Sequence, residues 1–343
     1  MSELLVNVIQ IRDTSFNIGL KFGKNIQNSP LLKVFDSITK PEIDYKNVQA
    51  IFSTLAAHLL EELEGLASGL EVSTKKSASL FSGYDVPRTE AMGCSAIITK
   101  DYYVRNYDFS PDLYDGVFSL VQSEAAFATA GYNLQILGRH DGINQKGLVI
   151  GLHFVSNNGY SKGISPWTAI RMVLDICSSV DDAIQMLKEI PHSACYNFSL
   201  GDPMGNIAVV EASPDKVLVR QGQSLLSCVN HFQDEKLKNN NRLSIEGSVK
   251  RDNFIQEISK KNLPHQKMFD HLKDINSPLY FTDYENLFGT MHTLSYSFEH
   301  SRIKTTIAQG DHVLDFNFQD WVDGEDLKEE RLRGKLDSYF ISN

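Results

Sequence analysis

The chain has 343 residues, 42% apolar and 22% charged, enough to bury a large core as one α/β unit or as two lobes. Its 33 basic against 43 acidic side chains leave a net charge of −10, which argues against holding nucleic acid through phosphate contacts. No run of about 18 apolar residues is present, so no membrane-spanning helix is expected, and Met1-Ser-Glu-Leu-Leu-Val6 lacks the basic start and apolar stretch of a signal peptide. Cys94, Cys177, Cys195 and Cys228 are too few and too scattered for a disulfide framework, which makes a reducing cytoplasm the expected setting.

In chain order, Leu4–Arg12 reads as a strand, and Phe16–Ile26 and Val48–Leu70 as helices. In the second helix Ile51, Leu55, Leu59, Leu60 and Leu63 recur near helical spacing. The glycine in Ser68-Gly-Leu-Glu-Val-Ser-Thr74 is read as its stop. From Cys94 the period moves towards two, with expected strands at 95–99, 102–107, 117–123, 132–137 and 148–155. Asp141-Gly-Ile-Asn-Gln-Lys-Gly147 supplies turn chemistry before the last of these. One helix is expected from Ser165 to Ile190, with Ser165 as N-cap and Pro166 in the first turn. Strands resume at 196–200, 207–211, 217–220 and 225–229. The polar Lys236–Arg242 reads as a surface loop, followed by helices at 245–261 and 266–272 and three last strands at 293–298, 303–308 and 312–316. This order of elements fits an α+β fold of two antiparallel sheets stacked face to face, with helices on both outer faces.

Gly93-Cys94 opens the strand-rich half, and Arg105-Asn-Tyr-Asp108 follows closely. A buried cysteine is by default a small hydrophobe. A cut before Cys94, however, would place a thiol and a new α-amine on one residue. An α-amine has a pKa near 8, low enough to take the proton of its own thiol. Asp108 and Arg105 could hold the ammonium and favour the thiolate. Gly93 suits the scissile position because glycine tolerates strained torsions that bring the thiol onto the preceding carbonyl.

Met92-Gly-Cys-Ser95, Val104-Arg-Asn-Tyr-Asp-Phe109, Asp141-Gly-Ile-Asn-Gln-Lys-Gly-Leu148 with Gly151-Leu-His-Phe154, and Cys228-Val-Asn-His-Phe232 occur in an order that resembles one family. It is that of the N-terminal-nucleophile amidases and acyltransferases grouped around isopenicillin N acyltransferase, with penicillin V acylase and choloylglycine hydrolase as cousins. Phe16–Gly23 and Leu63–Gly69 resemble the acyltransferase prosegment, and Thr293–Phe298 the closing strand. The resemblance implies a four-layer αββα fold, made as a precursor whose residues 1–93 become a small subunit and 94–343 a catalytic large one. It implies Cys94 as nucleophile, Asp108 as the carboxylate contacting its amine, and Asn230 as the oxyanion donor. Arg105 matches the arginine of the bile-salt and penicillin V branch, and Arg251 the family's Ser-x-x-Arg. His153 stands where relatives offer a backbone N–H to the oxyanion, although some hydrolases have asparagine there.

The implied reaction is attack on a linear amide or thioester carbonyl, then transfer of the acyl group from the cysteine to water or an amine. No cofactor or metal is implied; the partners are a small amide or acyl donor and the chain's own N-terminal fragment, with a homo-oligomer left open. Three other readings carry less. His231 beside Asn230 suggests a papain-like set, but the papain pattern around the nucleophile is absent. Cys228-Val-Asn-His231 and His192-Ser-Ala-Cys195 each offer two metal ligands where a closed zinc site needs four. An unprocessed relative that binds a small molecule without turnover is the rival from another class.

Overall fold

The computed structural model describes residues 3–86, 93–222, 224–286 and 288–337; Met92 of the junction motif lies outside them. The chain opens with strand β1 (Glu3–Arg12) and five helices, α1 (Ser15–Ile26), α2 (Pro30–Ile38), α3 (Tyr45–Leu55), α4 (His58–Leu70) and α5 (Thr74–Phe81). Six strands follow: β2 (Gly93–Thr99), β3 (Tyr102–Phe109), β4 (Val117–Ser123), β5 (Ala126–Leu134), β6 (Gly138–Asn144) and β7 (Val149–Ser156). Helices α6 (Pro166–Ile176) and α7 (Val180–Glu189) lead to β8 (Cys195–Gly201), β9 (Ile207–Ala212), β10 (Val217–Gly222) and β11 (Leu225–Cys228). The chain ends with α8 (Glu246–Ser259), α9 (His265–Lys273), β12 (Thr282–Asp283), β13 (Phe288–Ser297), β14 (Arg302–Ile307), β15 (Leu314–Asn317), α10 (Phe318–Val322) and β16 (Arg331–Lys335).

The strands form two sheets. The larger runs β10-β9-β8-β7-β6-β5-β4-β1-β16, and the smaller runs β11-β2-β3-β13-β14-β15 with β12 on β13. Among the described residues every ladder is antiparallel except β1 on β4. Helices α6 and α7 cover the larger sheet, α8 and α9 the smaller one. The fold is the four-layer αββα sandwich. Strands between two covered faces lose the alternation of a half-exposed strand: β2, β3, β6, β7, β8 and β9 are buried along their whole length.

Residues 3–86 are built into this sandwich. β1 lies between β4 and β16, hydrogen-bonded to both. One apolar core joins Val6, Ile18, Phe52 and Leu63 with Phe118, Leu174 and Phe198. A buried ionic cluster also joins α4 to α6. Arg171 of α6 reaches Glu62 of α4 at 2.7 Å and Asp175 at 2.7 Å, and His58 of α4 meets Asp175 at 2.7 Å.

Several elements differ from the sequence expectation. The helix read over Val48–Leu70 is two, because Ala56 leaves helical torsions (φ −161°, ψ 66°). The apolar stripe continues through Val48, Phe52, Leu59 and Leu63 on both sides of the break, which hides it. The helix does end within Ser68–Thr74, but Gly69 is its penultimate residue and serves close packing, since a Cβ there would lie 2.5 Å from the Leu20 carbonyl of α1. The helix ends at Leu70 on left-handed Glu71 (φ 58°). The helix read over Ser165–Ile190 is also two, since Cys177 is extended and the Ser179 side chain caps α7 on the Asp182 N–H. The strand read at 132–137 is the end of β5 and a turn. Asp141 to Asn144 lie in β6 instead of a turn, which is confined to Gln145–Gly147. Helices α2 and α5 and the edge strand β16 lie in stretches to which the sequence reading assigns no element.

Candidate active site

Cys94 is the second residue of β2, directly opposite Tyr107 of β3, which is in turn opposite His292 of β13. Directly opposed residues share a face, and Arg105, two residues before Tyr107, shares it too. This row lies in the space between the sheets. The Arg105 guanidinium donates Nη2–H to Cys94 Sγ at 3.2 Å and to the Leu152 carbonyl, and Nη1–H to Asp141 Oδ2. Asp141 comes from β6 in the opposite sheet, so its pairing with Arg105 bridges the two layers at the thiol.

The backbone of Cys94 is held from the other side. Its N–H donates to Asn230 Oδ1 at 2.8 Å, and its carbonyl accepts from Arg251 Nη1 at 2.5 Å. Arg251 also donates to Asn230 Oδ1 at 2.8 Å and to Ser95 Oγ at 2.9 Å. With two donors on Oδ1, the Asn230 amide nitrogen is left to donate, and one of its hydrogens goes to the Phe154 carbonyl at 2.9 Å. Asp108 faces Gly93 across the β2–β3 ladder. Its Oδ1 accepts from Thr290 at 2.7 Å, while Oδ2 is buried with no hydrogen-bond partner among the described residues.

Gly93 is in ordinary strand conformation and is not among the residues with positive φ. Strained torsions are therefore not why glycine stands here. Space is: a Cβ would lie 2.3 Å from the Phe288 ring and 2.8 Å from Asp108 Oδ2.

Burial sets the electrostatics. It pushes the Cys94 thiol up to about 11, with Arg105 pulling the other way and Asp108 pushing further up. Burial likewise raises the Asp108 carboxyl to about 6, against the pull of Arg251 and the Thr290 hydrogen bond. Desolvation opposes charge on Asp141 as well, but His292 and Arg105 outweigh it and hold its carboxyl below the usual range.

The structure thus brings together Cys94, Arg105, Asp108, Asn230 and Arg251 around the Gly93–Cys94 peptide. His153 of β7 lies opposite Asn197, with its ring hydrogen-bonded to Ser199 Oγ at 3.0 Å. Burial pushes that imidazole well below its ordinary value. His231 directs Nδ1 to Ser248 Oγ at 2.8 Å instead of joining a Cys-His pair. Local sequence does not mark Asp141 or His292 as site residues: Asp141 sits in a stretch whose composition reads as a turn, and nothing near His292 distinguishes it. Among the described residues, no cluster of three or more His, Cys, Asp or Glu side chains is placed to hold a metal, and no helix is long and apolar enough to cross a membrane.

Two stacked, mainly antiparallel sheets between helical layers are the architecture of the N-terminal-nucleophile hydrolase folds. Residues 98–312 match the family described as acyl-coenzyme A:6-aminopenicillanic acid acyl-transferase, and the chain belongs to that family. The match begins just after Cys94 and contains Arg105, Asp108, Asp141, Asn230, Arg251 and His292. Among solved structures the chain is similar to the conjugated bile acid hydrolase of Clostridium perfringens, at 17% identity over 74% of this chain and 99% of that one, with a TM-score of 0.47. It is also similar to penicillin V acylase from Agrobacterium tumefaciens, at 13% identity over 66% and 86%, TM-score 0.39. A third is the Caenorhabditis elegans ortholog of N-acylethanolamine-hydrolyzing acid amidase, at 13% over 60% and 92%, TM-score 0.42. Among curated proteins no sequence matches.

Proposed function

We propose that this protein is a self-processing cysteine amidase or acyltransferase in which Cys94 performs both reactions. In the first, Cys94 Sγ attacks the Gly93 carbonyl carbon, the thiol proton passes to the departing nitrogen, and the C–N bond breaks. This leaves a thioester to Gly93 and a free α-amine on Cys94. Water hydrolyses the thioester, giving the Gly93 carboxylate and restoring the thiol. In the second, the α-amine serves as base while the thiol attacks a linear amide or thioester carbonyl. The acyl group then passes to water or to an amine.

The observation that carries this reading is the set of contacts on one peptide unit. The N–H of the bond to be cut is held by Asn230, the thiol by Arg105, and an Asp108 oxygen with no partner among the described residues lies beside Gly93. That oxygen is suited to receive the ammonium that cleavage creates, and the same ammonium lowers the cost of ionising the thiol. In the uncut chain burial pushes the thiol up to about 11, so self-cleavage proceeds from a small thiolate fraction held next to the adjoining carbonyl, and the thiol is a poor nucleophile towards an external substrate at neutral pH. Cutting therefore switches the site on. Asn230 and the backbone N–H of His153 are assigned to the oxyanion, and Arg251 to holding Asn230 and the Cys94 carbonyl in place.

Residues 1–93 remain attached as a small subunit. Their release would strip β1 from between two strands and leave Arg171 without Glu62. The family's description favours an acyl-coenzyme A donor with an amine acceptor as the variant of this chemistry; hydrolysis of the amide is the other.

Intact-mass measurement of the purified protein tests the reading. Two fragments divided between Gly93 and Cys94, absent in Cys94→Ala, support it; full processing of Cys94→Ala refutes it. A wild-type protein that stays whole and turns over nothing would favour the small-molecule-binding relative. Penicillin V, N-acyl amino acids, bile-salt conjugates, and acyl-coenzyme A with an amine then separate hydrolysis from transfer.

A further inference from the structure

Behind Arg105 the hydrogen bonds continue. Asp141 Oδ2, which accepts from Arg105, also meets His292 Nε2 at 2.9 Å, and His292 Nδ1 meets the Tyr114 hydroxyl at 2.8 Å. A carboxylate only accepts, so Nε2 carries the hydrogen and Nδ1 accepts from Tyr114. All five groups, Tyr114, His292, Asp141, Arg105 and Cys94, are buried. The imidazole ring is clamped between aromatic neighbours: Tyr132 stacks on it with centroids 3.7 Å apart, and Tyr107 stacks at 5.3 Å. The other titratable and charged groups facing it are His140 and Asp141 of β6, Arg105 of β3, and Tyr114 between β3 and β4. Burial keeps the imidazole below its ordinary pKa, against the pull of Asp141, which fits a neutral donor.

We propose that His292 and Asp141 are positioning residues that fix the Arg105 guanidinium against the Cys94 thiol and thereby set how that thiol ionises. The inference rests on the reading of Cys94 as nucleophile. Its physical basis is that an arginine held by one carboxylate oxygen can pivot. Here His292 anchors that same oxygen from β13, while Leu152 of β7 takes Nη2. Arg105 is thus tied to strands of both sheets, and its charge is delivered at a fixed distance. Loosening Asp141 lets the guanidinium follow the carboxylate away from sulfur, so the thiolate loses its nearest positive charge.

The test is the pH dependence of Cys94 alkylation by iodoacetamide in processed protein, with peptide mapping to identify the labelled residue. Its midpoint belongs to the coupled thiol and α-amine. His292→Gln keeps an N–H near the reach of Nε2, and the midpoint should stay within about 0.3 of a pH unit of wild type. His292→Asn is one carbon shorter and cannot reach Asp141. Its midpoint should rise by about one unit, a roughly tenfold loss of thiolate below the midpoint. Tyr114→Phe removes only a hydroxyl at the far end and should shift the midpoint the same way by less, which keeps the test open if His292→Asn does not fold. Folded His292→Asn with a wild-type midpoint overturns the proposal, as does His292→Gln shifted as far as His292→Asn, which would reduce the role to packing. If the label is not on Cys94, or Cys94→Ala turns over substrate, the nucleophile reading fails first and takes this inference with it.

Discussion

Asn230→Ala is the substitution whose consequences the structure specifies most fully. The side chain makes three buried hydrogen bonds: to the Cys94 N–H, to the Arg251 guanidinium and to the Phe154 carbonyl. Neutral bonds contribute about 0.5–1.5 kcal/mol each and one to a charged group about 1.5–3. Folding stability should therefore fall by about 2.5–6 kcal/mol. Self-cleavage should slow, because the nitrogen to be released loses the acceptor that fixes its orientation. In processed protein, loss of the oxyanion donor should lower kcat by about 10²–10³ with little change in KM, since the donor acts mainly in the transition state. Asn230→Asp separates these roles. A carboxylate can still accept from the Cys94 N–H and Arg251, so cleavage should survive better than in the alanine variant. It has no N–H to donate and would place negative charge beside the oxyanion, so turnover should suffer at least as much. Time-resolved intact mass and steady-state kinetics read the two effects separately. Normal kcat with a raised KM in Asn230→Ala would refute the assignment and move Asn230 to the substrate pocket.

Three further expectations follow from buried groups. Arg171→Ala leaves the Glu62 and Asp175 carboxylates buried without their cation, which typically costs about 3–5 kcal/mol and in a chain of this length lowers Tm by about 4–7 °C; a melt within 1 °C of wild type would contradict it. The Asp108 carboxyl stands at about 6 in the folded chain, above its ordinary value of 3.8. Its contribution to stability is thus present below about pH 4 and lost as pH rises through 6. In the uncut Cys94→Ala background, Asp108→Asn should therefore gain stability relative to its parent as pH rises from 4 to 7, by up to about 3 kcal/mol, as read by urea melts; a gap independent of pH would refute it. Cys177, Cys195 and Cys228 are all buried, the last with its thiol pushed well above the ordinary value by burial. Alanine at each should leave kcat/KM within about tenfold, roughly 1.4 kcal/mol of barrier, and a folded but inactive Cys228→Ala would show that the thiols are ranked wrongly.

Local sequence determined the parts of this protein whose physics is local. Apolar runs bounded by turn residues gave most strands within a few residues, and Ser165-Pro166 marked the start of α6. The order of short motifs from Gly93-Cys94 to Ser248-Val-Lys-Arg251 pointed to the family and to a set of site residues, five of which the structure gathers around one peptide bond. Tertiary structure decided what depends on partners far along the chain. The apolar stripes of Val48–Leu70 and Ser165–Ile190 run straight through their breaks, because each half packs on the same core. Gly69 looks like a helix stop until α1 is laid against it, and Gly93 looks like a strain-tolerant residue until Phe288 and Asp108 fill the space beside it. Asp141 is 36 residues from Arg105 and 151 from His292. Their chain to the thiol forms only where two sheets face each other, and a buried carboxylate's role is fixed by the donors that surround it, which no window of sequence contains.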